Sequence, residues 1–407
     1  MHDKTYRLSV AERDRRYRLV REAMKERDLD ALLIWGDGRE WDWEMANVHY
    51  LSQVGGNGEE AILIFPLEGE PTIFIWAYSI YQTKCWMEYG SWVTEFRGRK
   101  DGWWSKPVVE RLKELNLTSA RIGVPGLLEQ DRIFFPFVVY TALREGLPKA
   151  DFRNASGLIE DIRAVKSPEE IALMERSAQI GEAAIDTLAE VARPGVGEHE
   201  VIAAMFHTMI SEGADLPIMF LFDSGMVKTG GGRLSFTKHR ILQHKDIIFM
   251  EFSPQVHGYA SHTNQTVVVG DWPEGLEKAY EAWLASYRAG YDAMRPGITV
   301  GELSDAFHKP VATAGFKYAE GGAPDGWRYG GPFFHGTGYG NEPPLGFWQI
   351  AEEQASIAIP EGTTIAIECG ASLPDNSMGI RMGDTVLVTH DGRRRLGTRE
   401  PAIRICK

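Results

Sequence analysis

Four residues in the second half of the chain have types and settings suited to shared chemistry. Glu251 closes the apolar run IIFMEF at 247–252, and His262 lies in the run GYASHTNQTVVVG that follows it. His335 stands among glycines in GGPFFHGTGYGNEPP, and Glu368 ends the apolar stretch TTIAIECG. Burying a lone carboxylate in such strands costs roughly several kcal/mol unless it is paired or holds a metal ion. A mutually satisfying cluster of two carboxylates and two imidazoles removes that cost. Each residue also has a plainer reading. A strand histidine is often a hydrogen-bonded core residue, Glu251 can bond backbone at a strand end, and His335 can serve loop packing. Glu368 can pair with Arg381 across a hairpin. The residue types alone leave both readings open.

The elements that must position this cluster follow from the neighbouring sequence. The runs at 247–252 and 258–269 read as the two strands of a hairpin, which brings Glu251 and His262 together. Side chains alternate along a strand, so His262, Asn264 and Thr266 share one face. TTIAIECG and GIRMGDTVLVT read as a further pair of strands. Upstream, KSPEEIALMERSAQIGEAAIDTLAEVARPG reads as one long helix. Ser167 is its N-cap, Pro168 its first residue, and Glu170 completes a capping box. Ile171, Met174, Ala178, Ile185 and Leu188 keep the spacing of one buried face, and Pro194-Gly195 ends it. Arg193-Pro194-Gly195 recurs as Arg295-Pro296-Gly297, again ahead of a helical pattern, which suggests a duplicated α+β unit. In the first half, DALLIW, AILIFP and TIFIW read as buried strands. Helical patterns at 12–27 and 107–115 flank them, giving an α/β domain. The boundary falls near 159–167, so the domains are residues 1–160 and 161–407.

Composition narrows the function classes. Asp+Glu outnumber Lys+Arg by 57 to 44, a net charge of −13, which argues against a nucleic-acid partner. Three distant cysteines, Cys85, Cys369 and Cys406, form neither a zinc knuckle nor a disulfide framework and fit a reducing compartment. The opening MHDKTYRLSVAERDRR has no apolar stretch of signal-peptide type, and the longest apolar runs are too short to span a bilayer. A soluble cytoplasmic enzyme with a small-molecule substrate, and no nucleic-acid or membrane partner, is the expectation. Eight of the twelve tryptophans lie at or before Trp104 and nine of the eleven histidines lie after residue 150, separating an aromatic half from a chemistry half.

Several segments carry a family resemblance. NVHYLSQVGGNGEEAILIFP, LIEDIRAVKSPEEIALMERSAQIGEAA, FHGTG, IECG and GIRMGD together resemble the creatinase, prolidase and methionine aminopeptidase family. The resemblance covers nearly the whole chain. It implies an α/β N-terminal domain and an α+β "pita-bread" catalytic domain with an internal pseudo-twofold duplication, and a homodimer. Peptidases of that family hold two metal ions with Asp, Asp, His, Glu and Glu. Here those positions match Glu251, His262, His335, Glu368 and Gly383, so two are kept, two changed in type and one lost. The resemblance therefore implies a single divalent ion, zinc, manganese or iron, on His262, His335 and Glu368. Glu251 is then a fourth ligand or the general base. The prolidase-like HEPP segment has become Asn341-Glu342-Pro343-Pro344, and the histidine that creatinase uses has no counterpart at Leu234 or Ser235.

The catalytic set read this way is Glu251, His262, His335 and Glu368. Asn264, Tyr259 and Arg381 are read as substrate-binding neighbours, and Trp327 and Phe334, with Tyr329 and Phe333, as an aromatic wall. The corresponding function is hydrolysis of a carbon–nitrogen, amide-type bond in a small, ring-bearing molecule with one divalent ion. The alternatives are a metal-free creatinase-like hydrolase or lyase, an Xaa-Pro dipeptidase-like metallopeptidase, and a non-catalytic binding module. The segment WGDGREWDWEM at 35–45, with Trp41 at its centre, reads as core or dimer packing, or as a wall over a neighbouring subunit's site. Cys369 is the one cysteine adjacent to the chemistry.

Overall fold

Alternating apolar strands and amphipathic helices assemble into two units, Met1–Arg163 and Ala164–Lys407, in a computed structural model. It describes residues 7–38, 43–56, 59–128, 134–216, 219–225, 239–318, 326–329, 333–346, 352–374 and 379–407. Trp41, Leu234 and Ser235 lie outside the described residues. Among the described residues no helix is long and apolar enough to cross a membrane.

The first unit is a six-stranded sheet in the order Glu95–Gly98, Thr72–Ile75, Glu60–Pro66, Ala31–Asp37, Arg121–Val124, Asp151–Asn154. Ala31–Asp37 is buried along its whole length, as the run of branched and aromatic side chains requires of a central strand. Trp35 and Trp104 meet edge to face at 5.5 Å within a core that includes Ile62, Phe74, Val108 and Ile122. These two tryptophans are core packing.

The second unit begins with the helix Pro168–Val191. Ser167 Oγ accepts from the Glu170 amide, and the Glu170 carboxylate accepts from the Ser167 amide, so the capping box forms as the sequence requires. The two Arg-Pro-Gly turns share one backbone wiring. Gly195 N–H donates to Leu242 O and Gly297 N–H to Ile359 O, each at 2.9 Å. Glu198 N–H then bonds Arg240 O, and Val300 N–H bonds Ile357 O. The helices Glu198–Ser211 and Val300–Thr313 follow at corresponding places, the second with a full capping box at Thr299 and Glu302 and the first with only its Glu200 carboxylate accepting from the Gly197 amide. This repeated wiring is the duplication that the three-residue echo suggested.

The strands form a four-stranded sheet, Arg404–Cys406, Thr263–Val269, Ile247–Phe252, Phe220–Gly225, and a five-stranded sheet, Gly340–Gly346, Phe334–Gly338, Thr364–Ile367, Thr385–Thr389, Gly392–Arg395. The strand expected at 258–269 is interrupted. Tyr259–Ala260 pairs with Gln255–Val256 as a separate ribbon, turning at His257 and Gly258 with φ of 51° and 80°. The amides of Ser261 and His262 then leave the ladder and donate to side chains, Ser177 Oγ at 2.7 Å and Thr385 Oγ1 at 2.8 Å. Pairing with Ile247–Phe252 resumes only at Thr263.

One buried carboxyl couples this unit's stability to pH. Asp384 accepts from Tyr287 Oη at 2.9 Å and has Arg395 Nε at 3.1 Å, with Glu182 and Cys369 the other ionisable neighbours. Burial outweighs the arginine and pushes the Asp384 carboxyl up to about 7. The folded state then binds more protons than the unfolded chain between about pH 4 and pH 7, so this contribution falls as pH rises through that window, by roughly 1.4 kcal/mol per unit. Asp384→Asn is expected to lack this slope, so its melting temperature relative to wild type should climb from pH 5 to pH 8. Parallel curves over that range would refute the assignment.

Candidate active site

The four chemistry-bearing residues meet. His262 Nε2 lies 2.6 Å from Glu368 Oε1, and His335 Nε2 lies 3.0 Å from the same oxygen. The two imidazole rings stand edge to face with centroids 5.0 Å apart. Glu251 Oε1 is 3.5 Å from His262 Nε2. Arg381 Nη2 closes the cluster, 2.5 Å from Glu368 Oε2 and 3.6 Å from Glu251 Oε2. His262, His335 and Glu368 are each no more than 4% exposed.

Local structure explains the convergence. Glu251 and Asn264 are direct cross-strand partners, so both face the same side of the sheet, as does His262 two residues earlier. His335 pairs with Ala366, and Glu368 follows two residues later, its amide held by the Phe333 carbonyl at 2.8 Å. Arg381 ends the strand Gly379–Arg381, paired with Gly370. Thr385 Oγ1 both accepts from the His262 amide and donates to its carbonyl, fixing the histidine where the ladder is broken. Ser253 Oγ lies 3.3 Å from His262 Nδ1. Neither Thr385 nor Ser253 carries a sequence signal.

The electrostatics follow from burial against charge. Burial alone would raise the Glu368 carboxyl, yet His262, Arg381 and His335 hold it well below the usual carboxylate range. Burial opposes a charged His262, but Glu368 and Glu251 hold its imidazole above the ordinary value.

The donor set can be tested against a metal ion. The Gly336 carbonyl can only accept, so His335 Nδ1, at 2.8 Å, donates to it. In the neutral ring that leaves the Nε2 lone pair facing the Glu368 oxygen, and two acceptors at that distance need a proton or a cation between them. His262 Nε2, His335 Nε2 and a Glu368 oxygen all lie within 4.8 Å of one another, and among the described residues no other such group of three ligands occurs. Two imidazoles and a carboxylate fit one divalent ion with positions left open for substrate and water. They do not fit two ions. Gly383 supplies no carboxylate, and a Cβ there would stand 1.8 Å from the Ile367 carbonyl oxygen.

Several expectations are corrected by these placements. Glu251 lies outside the three-ligand group, and its second oxygen stands 3.6 Å from Arg381 Nη2. Arg381 is engaged by carboxylates rather than aimed at substrate. Tyr259 is 1% exposed and donates to Glu170 Oε1 at the long helix's capping box, so it belongs to the scaffold. The aromatic wall does not form. Phe334 precedes His335 on a strand and therefore faces the opposite side, where it is fully buried with Phe307, Phe333 and Tyr329. Trp327 packs on Phe316 and the Lys278 ammonium. Asn264 is 1% exposed, and neither atom of its carboxamide has a hydrogen-bond partner. Glu342 forms a buried ion pair with Lys166 at 2.5 Å. Cys369 is buried, with its thiol pushed up to about 12 by burial.

Comparison with known proteins adds the context. Residues 172–390 match the model of metallopeptidase family M24, and residues 16–165 match that of the creatinase/prolidase N-terminal domain. The Xaa-Pro dipeptidase of Pyrococcus furiosus is 28% identical over 292 residues, 70% of this chain and 76% of that protein. The Xaa-Pro dipeptidase of Pyrococcus horikoshii is 26% identical over 294 residues, 71% and 78% of the two chains. The solved structure of the Thermococcus sibiricus prolidase superposes with a TM-score of 0.78 at 18% identity, covering 98% of this chain and 100% of that one. A Bacillus anthracis Xaa-Pro dipeptidase gives 0.75 at 20%, covering 97% and 99%. At those identities the structural likeness carries the two-domain fold.

Proposed function

This chain belongs to metallopeptidase family M24 and is a hydrolase of the creatinase/prolidase type, and on that premise we propose that it is a one-ion amidohydrolase of small peptide-like substrates, Xaa-Pro dipeptides first among them. The observation that carries the reading is the convergence of His262 Nε2, His335 Nε2 and a Glu368 oxygen on one buried point. The Xaa-Pro preference rests on the relatives' activity. The corrected aromatic wall removes the support within this unit for a ring-bearing substrate.

A divalent ion held by these three residues would supply Lewis acidity toward the amide carbonyl. Glu251, adjacent to His262 but outside the ligand group, is placed to take a proton from the attacking water and deliver it to the leaving nitrogen. Arg381 Nη2 stands 3.6 Å from the other oxygen of that carboxylate. The Asn264 carboxamide, buried and unpartnered, offers one donor and one acceptor to the substrate's own amide.

The reading is tested by assaying purified protein, loaded in turn with Zn2+, Mn2+ and Fe2+, on Xaa-Pro dipeptides and on a panel of small amides and ureas. Dipeptide cleavage that drops at least about 100-fold after chelation and returns with one equivalent of ion is expected. Full turnover in excess chelator would instead favour direct acid–base chemistry by His262, His335 and Glu368. Cleavage of the other amides alone would overturn the dipeptide assignment.

A further inference from the structure

We infer that Asn264 reads the free N-terminus of the substrate, its side-chain oxygen accepting from the α-amino group of the first residue while its side-chain nitrogen donates to the carbonyl of the scissile bond. The inference rests on the Xaa-Pro reading above and deepens it by assigning the residue that tells a free dipeptide from one whose amine is missing. Asn264 is 1% exposed, and both polar atoms of its carboxamide lack a partner. A buried donor and a buried acceptor left unpaired carry their full desolvation cost, which a ligand that meets both removes. The backbone holds the side chain in place. Asn264 exchanges both backbone hydrogen bonds with Gly383, at 3.0 and 3.2 Å, and stands directly opposite Glu251 in the sheet. The carboxamide is thereby fixed on the face that carries Glu251 and His262.

The chemistry of the dipeptide says which groups meet it. The nitrogen of an Xaa-Pro bond lies in the pyrrolidine ring and carries no hydrogen, so the scissile amide offers an acceptor and no donor. The α-amino group is then the N–H source of the dipeptide backbone, and it donates whether protonated or neutral. When the first residue is eclipsed, its amino nitrogen and its carbonyl oxygen lie on one edge, a donor beside an acceptor. A carboxamide presents the complementary edge, an acceptor beside a donor in one plane. The carboxylates of the cluster are engaged with other groups. Glu368 divides its oxygens between the two imidazoles and Arg381, at 2.6, 3.0 and 2.5 Å. Glu251 faces His262 and Arg381 at 3.5 and 3.6 Å. A substrate without the amine leaves the Asn264 oxygen buried and unpaired, and a site of that kind rejects such an analogue steeply.

Steady-state kinetics of the ion-loaded protein on Ala-Pro and on isobutyryl-proline, in which a methyl group replaces the amine, test the assignment. Wild type is expected to favour Ala-Pro by at least about 1000-fold in kcat/KM. Asn264→Leu, close in volume and unable to hydrogen-bond, is expected to lose at least about 100-fold on Ala-Pro and to narrow the preference to within about 10-fold. The same variant is expected to melt no lower than wild type, because it removes two unpaired buried groups, and this separates lost recognition from lost structure. Should Asn264→Leu fail to fold by circular dichroism, Asn264→Ala carries the same kinetic expectation. Equal turnover of the two compounds by wild type overturns the inference while leaving the hydrolase reading intact. A folded variant that keeps the wild-type preference also overturns it. Ala-Pro left uncleaved by ion-loaded wild type overturns the dipeptide reading, and the inference with it.

Discussion

Glu368→Gln is expected to lower kcat by roughly 1000-fold or more and to abolish stoichiometric ion binding, while the protein remains folded at room temperature. Glu368 reaches three members of the cluster, His262, His335 and Arg381, within 3.0 Å. Glutamine keeps the shape and removes the charge. The ligand trio then loses its only anionic member, and Arg381 and the histidines are left around a neutral amide. Breaking a buried ion pair from one side costs about 3–5 kcal/mol. In a unit of this size that lowers the melting temperature by roughly 10 °C. Instability alone must be separated from loss of the site, and Glu342→Gln provides the comparison. Glu342 is equally buried and pairs with Lys166, but it is not among the three ligands, so its loss should lower the melting temperature similarly while one ion per chain is retained. If both variants keep the ion, or both lose it, Glu368 is not the ligand proposed.

The cluster could be read from the sequence because its members are polar residues interrupting apolar strands, and burial forces such residues to find each other. The long helix was legible for an equally local reason: Ser167, Pro168 and Glu170 form a self-contained capping device whose bonds span three residues. The misreadings have a different origin. Phe334 is read with Trp327, Tyr329 and Phe333 as an aromatic wall, yet it adjoins His335 on a strand, which places the two side chains on opposite faces. Tyr259 was lost to a helix 89 residues upstream in sequence, through its bond to Glu170. The break at Ser261 and His262 depends on Ser177 and Thr385, which lie in other elements and show no spacing relation to the hairpin. The pairing of Arg381 with Glu368 across a hairpin was legible in the sequence, whereas the approach of the same guanidinium to Glu251 is seen only in the distances.

Gly383→Glu, which restores the carboxylate of the peptidase pattern GxRxED, is expected to destabilise the protein strongly and to add no second ion. The obstacle is backbone, not rotamer. A Cβ at Gly383 would lie 1.8 Å from the Ile367 carbonyl oxygen, 2.6 Å from its carbonyl carbon and 3.4 Å from the Glu368 amide nitrogen. No choice of χ angles relieves an overlap at Cβ, so the segment bonded to Asn264 must move away from the strand Thr364–Ile367. Overpacking of this kind costs about 1–3 kcal/mol or more, and a clash with backbone belongs at the upper end. The added carboxylate also enters a buried region already holding Glu251 and Glu368. A melting temperature lower by roughly 10 °C is therefore expected. Gly383→Ala should show most of that drop, since the offending atom is Cβ rather than the carboxylate. The ion count of either variant should not exceed one. A Gly383→Glu protein as stable as wild type and holding two ions would mean that the strand yields easily and that backbone crowding does not bar a carboxylate from this position.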